Sequence, residues 1–193
     1  HMRIPFAVYD GYCAHPERIL NITIDNFSGG CQVGRHLRAL GHESALCIAD
    51  NAVCMDLERY QGFRAGFAPG KAELLVVPMS KERRREFYRA NMARFYKATA
   101  VFAVSDHYAV DLMQLLREAG FSVPEDISIA GFDDTPMCEM VYPALTTVKQ
   151  DGALRARLAV DALRRLRKGE DVSPEIKLPV SLVVRSSTGK RNR

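Results

Sequence analysis

No stretch of the 193-residue chain approaches the roughly 20 uninterrupted apolar residues that a membrane helix requires. The start, His1-Met2-Arg3, has no apolar run before a small-residue cleavage site, so neither a membrane span nor an export signal is visible. His1-Met2 reads as the remnant of a cleaved expression tag, and the natural chain is expected to continue upstream of Arg3. Metal-ligand spacing is missing too. Cys13, Cys31, Cys47, Cys54 and Cys138 are an odd set with no C-x-x-C and no His or Cys at zinc-finger distance, which argues against a zinc site or a disulfide framework and for free thiols in a reducing cytoplasm. Also absent are G-x-S-x-G, G-x-x-x-x-G-K-[ST], H-E-x-x-H and G-x-G-x-x-G; Gly29-Gly30 near Gly34 is only a glycine cluster at a helix start. Cys54, His107 and Asp133 compose a triad on paper, as chance trios do in most chains of this size. No enzyme and no cofactor is expected. Internal repeats and low-complexity tethers are lacking, so two lobes, if present, would be joined by short crossings.

What the chain does have is an ordinary globular composition, 47% hydrophobic and 26% charged, with a formal charge of +4. The basic runs, Lys81 with Arg83-Arg84-Arg85, Arg155 to Lys168 and the tail Lys190-Arg191-Arg193, read as solvated helix faces and a frayed end more readily than as a nucleic-acid stripe. Short aliphatic runs alternate with helical periodicity, the pattern of an α/β chain whose parallel sheet is covered on both faces. Strands are expected at Ile4 to Tyr9, Ile22 to Ile24, Ala45 to Ala49, Leu74 to Val77, Ala100 to Val104, Ile127 to Phe132 and Ser181 to Val184. Helices are expected at Phe27 to Leu40, Asp56 to Phe67, Ser80 to Tyr96, Asp106 to Ala119 and Gly152 to Arg167, with caps such as Gly41, Gly120 and Gly169. Crossings are expected at Asp10 to Arg18, Thr146 to Asp151 and Gly169 to Pro174.

Two polar clusters follow strands directly: Asp133-Asp134 after Ile129 to Phe132, and Ser105-Asp106 after Val101 to Val104. Both therefore fall at the carboxyl edge of the sheet, where open α/β folds bind ligands. A carboxylate accepting hydroxyl hydrogen bonds beside an Arg that donates them suits a sugar or a nucleoside; an anion held by Arg59 is an alternative, and for Asp106 helix capping competes with ligand contact.

From Ile4 to Thr188 several ordered motifs resemble the LacI/GalR family of bacterial repressors. They are Ile22-Thr23-Ile24-Asp25-Asn26 with a helix ending Leu40-Gly41-His42; Arg59-Tyr60-Gln61-Gly62-Phe63; VFAVSDHYA from Val101 to Ala109; VPEDISIAGFDD from Val123 to Asp134; Leu145-Thr146-Thr147-Val148-Lys149-Gln150; and Leu178-Pro179 through Val184-Arg185-Ser186-Ser187-Thr188. The resemblance implies a periplasmic-binding-protein-like type I core of Rossmann-like lobes, one near complete and part of a second. Residues 21–148 and 178–189 would form the C-terminal lobe, and residues 3–20 and 149–177 would be pieces of the N-terminal lobe. A DNA-reading domain would lie outside the chain.

The resemblance also implies effector contacts at Asp10, Arg59, Ser105, Asp133 and Gln150, with Met79 as an apolar wall. One departure matters: Ser105 stands where the family commonly has Asn, and the shorter hydroxyl lacks an amide donor. The implied partners are a small effector, sugar or nucleoside-like, a second copy of the chain in a homodimer, and operator DNA only through the absent domain, with no membrane. The competing readings are a periplasmic sugar-binding protein of a transporter and a sugar or nucleoside hydrolase, the latter needing a paired acid and base that ionise differently. Finally, Ala153, Leu154, Leu158, Ala159, Ala162, Leu163 and Leu166 make an apolar helix stripe, expected to pack on a second copy or on a remaining strand.

Overall fold

The computed structural model describes residues 7–9 and 20–191. These divide into two compact units, His1–Asp25 with Gln150–Val180, and Asn26–Lys149 with Ser181–Arg193.

The smaller unit is a parallel sheet of β1 (Ala7–Tyr9), β2 (Leu20–Ile24) and β8 (Glu175–Leu178), in the order β1-β2-β8. Helix α7 (Gly152–Arg167) opens on Asp151, whose carboxylate accepts the Leu154 N–H at 2.8 Å and so satisfies one of the donors a helix start leaves open. Its expected apolar stripe turns towards β2: Ala162 is buried, Leu154, Leu158, Ala159, Leu163 and Leu166 are half-buried, and Ala153 is exposed. Of the two options for covering the stripe, the remaining strand therefore takes part of it.

The larger unit holds a six-stranded sheet in the order β4-β3-β5-β6-β7-β9, made of β3 (Ser44–Ala49), β4 (Lys71–Val76), β5 (Ala100–Ala103), β6 (Ser128–Asp133), β7 (Thr146–Lys149) and β9 (Ser181–Val183). Every pairing is parallel except β7 with β9. Strands β3, β5 and β6 are buried almost throughout, which is why they read as unbroken apolar runs. Their side chains alternate between faces. Leu46, Ile48, Val101 and Ala103 pack with Leu112 and Leu116 of α5 (Asp106–Glu118), Tyr88 of α3 (Lys81–Ala90) and Phe95 of α4 (Met92–Lys97). On the other face Phe102 meets Phe63 of α2 (Cys54–Phe67) with ring centroids 5.1 Å apart, and α2 lies along α1 (Asn26–Ala39). A short helix, α6 (Met137–Met140), precedes β7.

Glycine permits the close approach of α1 and α2. A Cβ on Gly30 would stand 2.0 Å from the Arg59 carbonyl oxygen, and one on Gly62 would stand 2.0 Å from that of Phe27. The glycine cluster at Gly29-Gly30 and the Gly62 of the Arg59–Phe63 motif are thus the two halves of one helix contact.

Several expectations need correction. Residues 21–25 and 178–180, assigned from sequence to the larger lobe, lie in the smaller unit, because β2 pairs with β1 and β8. Of the crossing expected at Thr146 to Asp151, Thr146–Lys149 is a strand of the larger unit with its first three residues buried, and the chain leaves that unit between Lys149 and Gln150. The helix expected from Ser80 to Tyr96 is broken at Asn91, whose side-chain amide donates to the Phe87 carbonyl at 2.9 Å. Arg84 and Arg155, expected on solvated faces, are 5% and 4% exposed. Of the strand expected at Ile4 to Tyr9, residues 4–6 lie outside the described residues.

Candidate functional site

Strands β4, β3, β5 and β6 are parallel neighbours, so whatever follows each of them lines one edge of the sheet. In spatial order these are Val77-Pro78-Met79 after β4, Asp50 after β3, Val104-Ser105 after β5, and Asp133-Asp134 at the end of β6. Carboxyl edges of open α/β sheets are where such folds take ligands.

Arg59 reaches this edge from α2. Its Nε donates to Asn26 Oδ1 at 2.8 Å and its Nη1 to the Val104 carbonyl at 2.7 Å, while the guanidinium lies 3.9 Å over the Phe132 ring. Asp133 Oδ1 stands 3.9 Å from Nη1, an ion pair too long to be a hydrogen bond, and the Ser105 hydroxyl approaches Asp133 Oδ2 at 3.5 Å, the outer limit for one. Arg59, Ser105 and Asp133 therefore converge. Two of the arginine's donors, on Nε and Nη1, are engaged with protein oxygens, so it holds the parts of the edge together; an anionic ligand at those two would have to compete with the existing bonds.

Asp133 has φ 119° and Asp134 φ 56°, both in the left-handed region that L residues rarely adopt. Strain of this kind costs on the order of 1–3 kcal/mol and concentrates at ligand sites. Neighbouring bonds hold the turn in place. Asp106, fully buried, accepts from Thr135 N at 2.8 Å, Thr135 Oγ1 at 3.0 Å and Thr147 Oγ1 at 2.5 Å, and Asp134 pairs with Arg185 at 2.8 Å. Asp106 thus ties the starts of α5 and α6 to β7 and does not act as a side-chain cap.

Asp50 fills the stretch of edge between Met79 and Ser105. Its carboxyl neighbours that of Asp56, one turn before Arg59 on α2, and its charge is felt at Tyr108. Burial, with the bond and charge of Asp50 added, pushes the Asp56 carboxyl up to about 7 against a smaller opposing effect of Arg59. Burial and the charge of Asp50 also push Tyr108 up to about 12. A carboxyl raised in this way can donate as well as accept, the bonding that a ligand hydroxyl needs.

Three predicted residues are brought together: Arg59, Ser105 and Asp133. Met79 lies on the same edge and is 74% exposed, and its carbonyl accepts from Arg84 Nη1 at 2.6 Å. Gln150 belongs to the smaller unit, and Asp10 lies outside the described residues. Sequence reasoning missed Asn26, Asp50, Asp56 and Tyr108. Asp50 was findable by the rule that found Ser105 and Asp133, a polar residue directly after a buried parallel strand.

Cavities of about 600 and 410 Å³ lie at the opposite edge, lined by residues such as Arg64, Pro69 and Lys71 in the first and Arg38, Lys71 and Lys97 in the second. Arg38, Arg64 and Lys97 sit in the last turns of α1, α2 and α4, where cations offset the negative end of the helix dipole, and this accounts for them without a ligand. Among the described residues no group of three His, Cys, Asp or Glu could hold a metal ion, and no helix is long and apolar enough to cross a membrane.

Residues 35–188 match the Periplasmic binding protein-like domain. The HTH-type transcriptional regulator DegA of Bacillus subtilis is 36% identical over 181 residues, 89% of this chain and 52% of that protein. A LacI family transcriptional regulator from Enterococcus faecium, solved with bound ribose, has a TM-score of 0.87 at 30% identity, over 97% of this chain and 72% of that one. A dimeric Lac repressor with an 11-residue C-terminal deletion has a TM-score of 0.80 at 29% identity, over 89% and 65%. The chain spans about half the length of the curated relatives it matches.

Proposed function

The chain belongs to the periplasmic binding protein-like family in the form carried by LacI-family transcriptional regulators, and from that premise we propose that it is the effector-binding and dimerisation region of a cytoplasmic DNA-binding regulator. Its effector is a neutral polyhydroxylated metabolite, a sugar or a nucleoside-like molecule, contacted in the larger unit by Asp133, Ser105 and Arg59. The observation that carries this reading is the convergence of Arg59, Ser105 and Asp133 at the carboxyl edge, beside a second pair of carboxyls. Carboxylates that outnumber the one arginine at this edge, Asp50 and Asp133 beside Arg59, favour hydroxyl donors over an anion. Operator DNA is contacted through a domain outside this chain, and effector binding biases two arrangements of a dimer.

The test is a thermal-shift panel of neutral pentoses, hexoses and nucleosides beside sugar phosphates and dicarboxylates. A ligand at about 100 times its Kd stabilises the folded state by roughly 2.7 kcal/mol. Response to a neutral member alone is the expected outcome; response only to anions would overturn the ligand class, and export of the natural chain would favour a transporter component. Because the raised Asp56 carboxyl lies beside Asp50, each incubation is also assayed for product, and turnover would revive the hydrolase reading.

A further inference from the structure

The basic run of α3 hides a charged group that the effector reading does not use. Arg84 is 5% exposed and Asp111 of α5 is 6% exposed. Arg84 donates from Nε at 3.1 Å and from Nη2 at 2.5 Å to Asp111 Oδ2, and its Nη1 donates to the Met79 carbonyl at 2.6 Å and, more weakly, to that of Pro78 at 3.4 Å. Its guanidinium also lies 4.7 Å from the centre of the Tyr108 ring. One buried cation therefore joins α3, α5 and the segment after β4.

A buried ion pair by itself is a weak source of stability, since apolar residues of similar volume often do as well. What such residues cannot do is hold two carbonyls and a carboxylate on one rigid planar fork. We infer that Arg84 is a positioning residue of the ligand edge, fixing Pro78-Met79. Arg59 does the same for the β5 and β6 side, so the edge is braced by two arginines on opposite faces of the sheet. The inference rests on the effector reading for its purpose, but the brace is measurable without any ligand.

The experiment compares the protein with Arg84→Lys, which keeps the charge beside Asp111 but loses the fork, and with the double variant Arg84→Met/Asp111→Leu, which fills the space with apolar atoms. Amide hydrogen exchange is followed for residue 77 and residues 79–81. In both variants exchange there should rise at least about tenfold, the weight of a lost hydrogen bond to a charged group. Unchanged exchange in both variants would overturn the inference. Ribose is then titrated as probe: if the parent binds it, Arg84→Lys should bind about tenfold more weakly, and equal affinity would count against positioning. If the parent binds no ribose, that failure falls on the ligand reading, while exchange still decides the brace.

Discussion

Arg59 Nε donates to Asn26 Oδ1 at 2.8 Å, joining the middle of α2 to the first residue of α1 at the point where the larger unit's sheet presents its carboxyl edge. Both residues are buried, Asn26 at 2% and Arg59 at 9%, so the bond is made away from water. Replacing Arg59 by Met leaves the Asn26 side chain and the Val104 carbonyl without this donor. A loss of about 3 kcal/mol in chemical denaturation is expected. A loss under 1 kcal/mol would show that Arg59 does not brace the edge. Binding lost in this variant alone is therefore weak evidence for a ligand contact.

Asp133 separates contact from scaffold. With φ at 119°, glycine fits its backbone better than alanine does. Asp133→Gly should exceed Asp133→Ala in unfolding free energy by about 1 kcal/mol, while both lose effector binding. Equal stabilities, checked by urea denaturation, would mean that the turn stores no strain.

The Asp56 carboxyl provides a pH test. Its ordinary value is 3.8 and the folded protein holds it at about 7, so the folded state binds the proton more tightly than the unfolded chain. The folded state therefore loses stability as pH rises between these values, and the cost is complete above the higher one. Asp56→Asn keeps a hydrogen-bonding partner for Asp50 and cannot ionise. Its Tm minus that of the parent should grow from about pH 4 to about pH 7 and level off above that; a difference independent of pH would refute the raised carboxyl.

Helix packing gives the sharpest stability contrast. Gly62→Ala should destabilise by about 3 kcal/mol or fail to fold, because the added carbon meets the Phe27 backbone and not a movable side chain. Gly152→Ala, where nothing lies within 4 Å, should be tolerated. Circular dichroism melts distinguish the two, and equal melts would contradict the close α1–α2 contact.

Where the sequence was informative, one physical signal carried the information. Buried parallel strands such as β3, β5 and β6 must be apolar on both faces, and the polar residue that follows each is conspicuous by contrast. Strand β7 defeats that signal. Thr146 and Thr147 are fully buried, yet polar, because Thr146 Oγ1 bonds Thr188 Oγ1 at 3.1 Å and Thr147 Oγ1 bonds Asp106, partners about 40 residues away that no local pattern announces. The break at Asn91 was hidden for a similar reason, since an Asn within helical periodicity reveals its backbone contact only in three dimensions. Arg84 looked solvated because its neighbours Arg83 and Glu86 are; the matching Asp111 sits on another helix.

The most direct test of the account is an amide-exchange footprint of the ligand that the panel identifies. Saturating ligand should protect the amides around Asp50, Ser105 and Asp133 at the carboxyl edge, with the effect diminished at equal concentration in Asp133→Gly. Protection confined to the opposite edge, around Lys71, Lys97 and Arg38, would place the ligand elsewhere and contradict the proposed site.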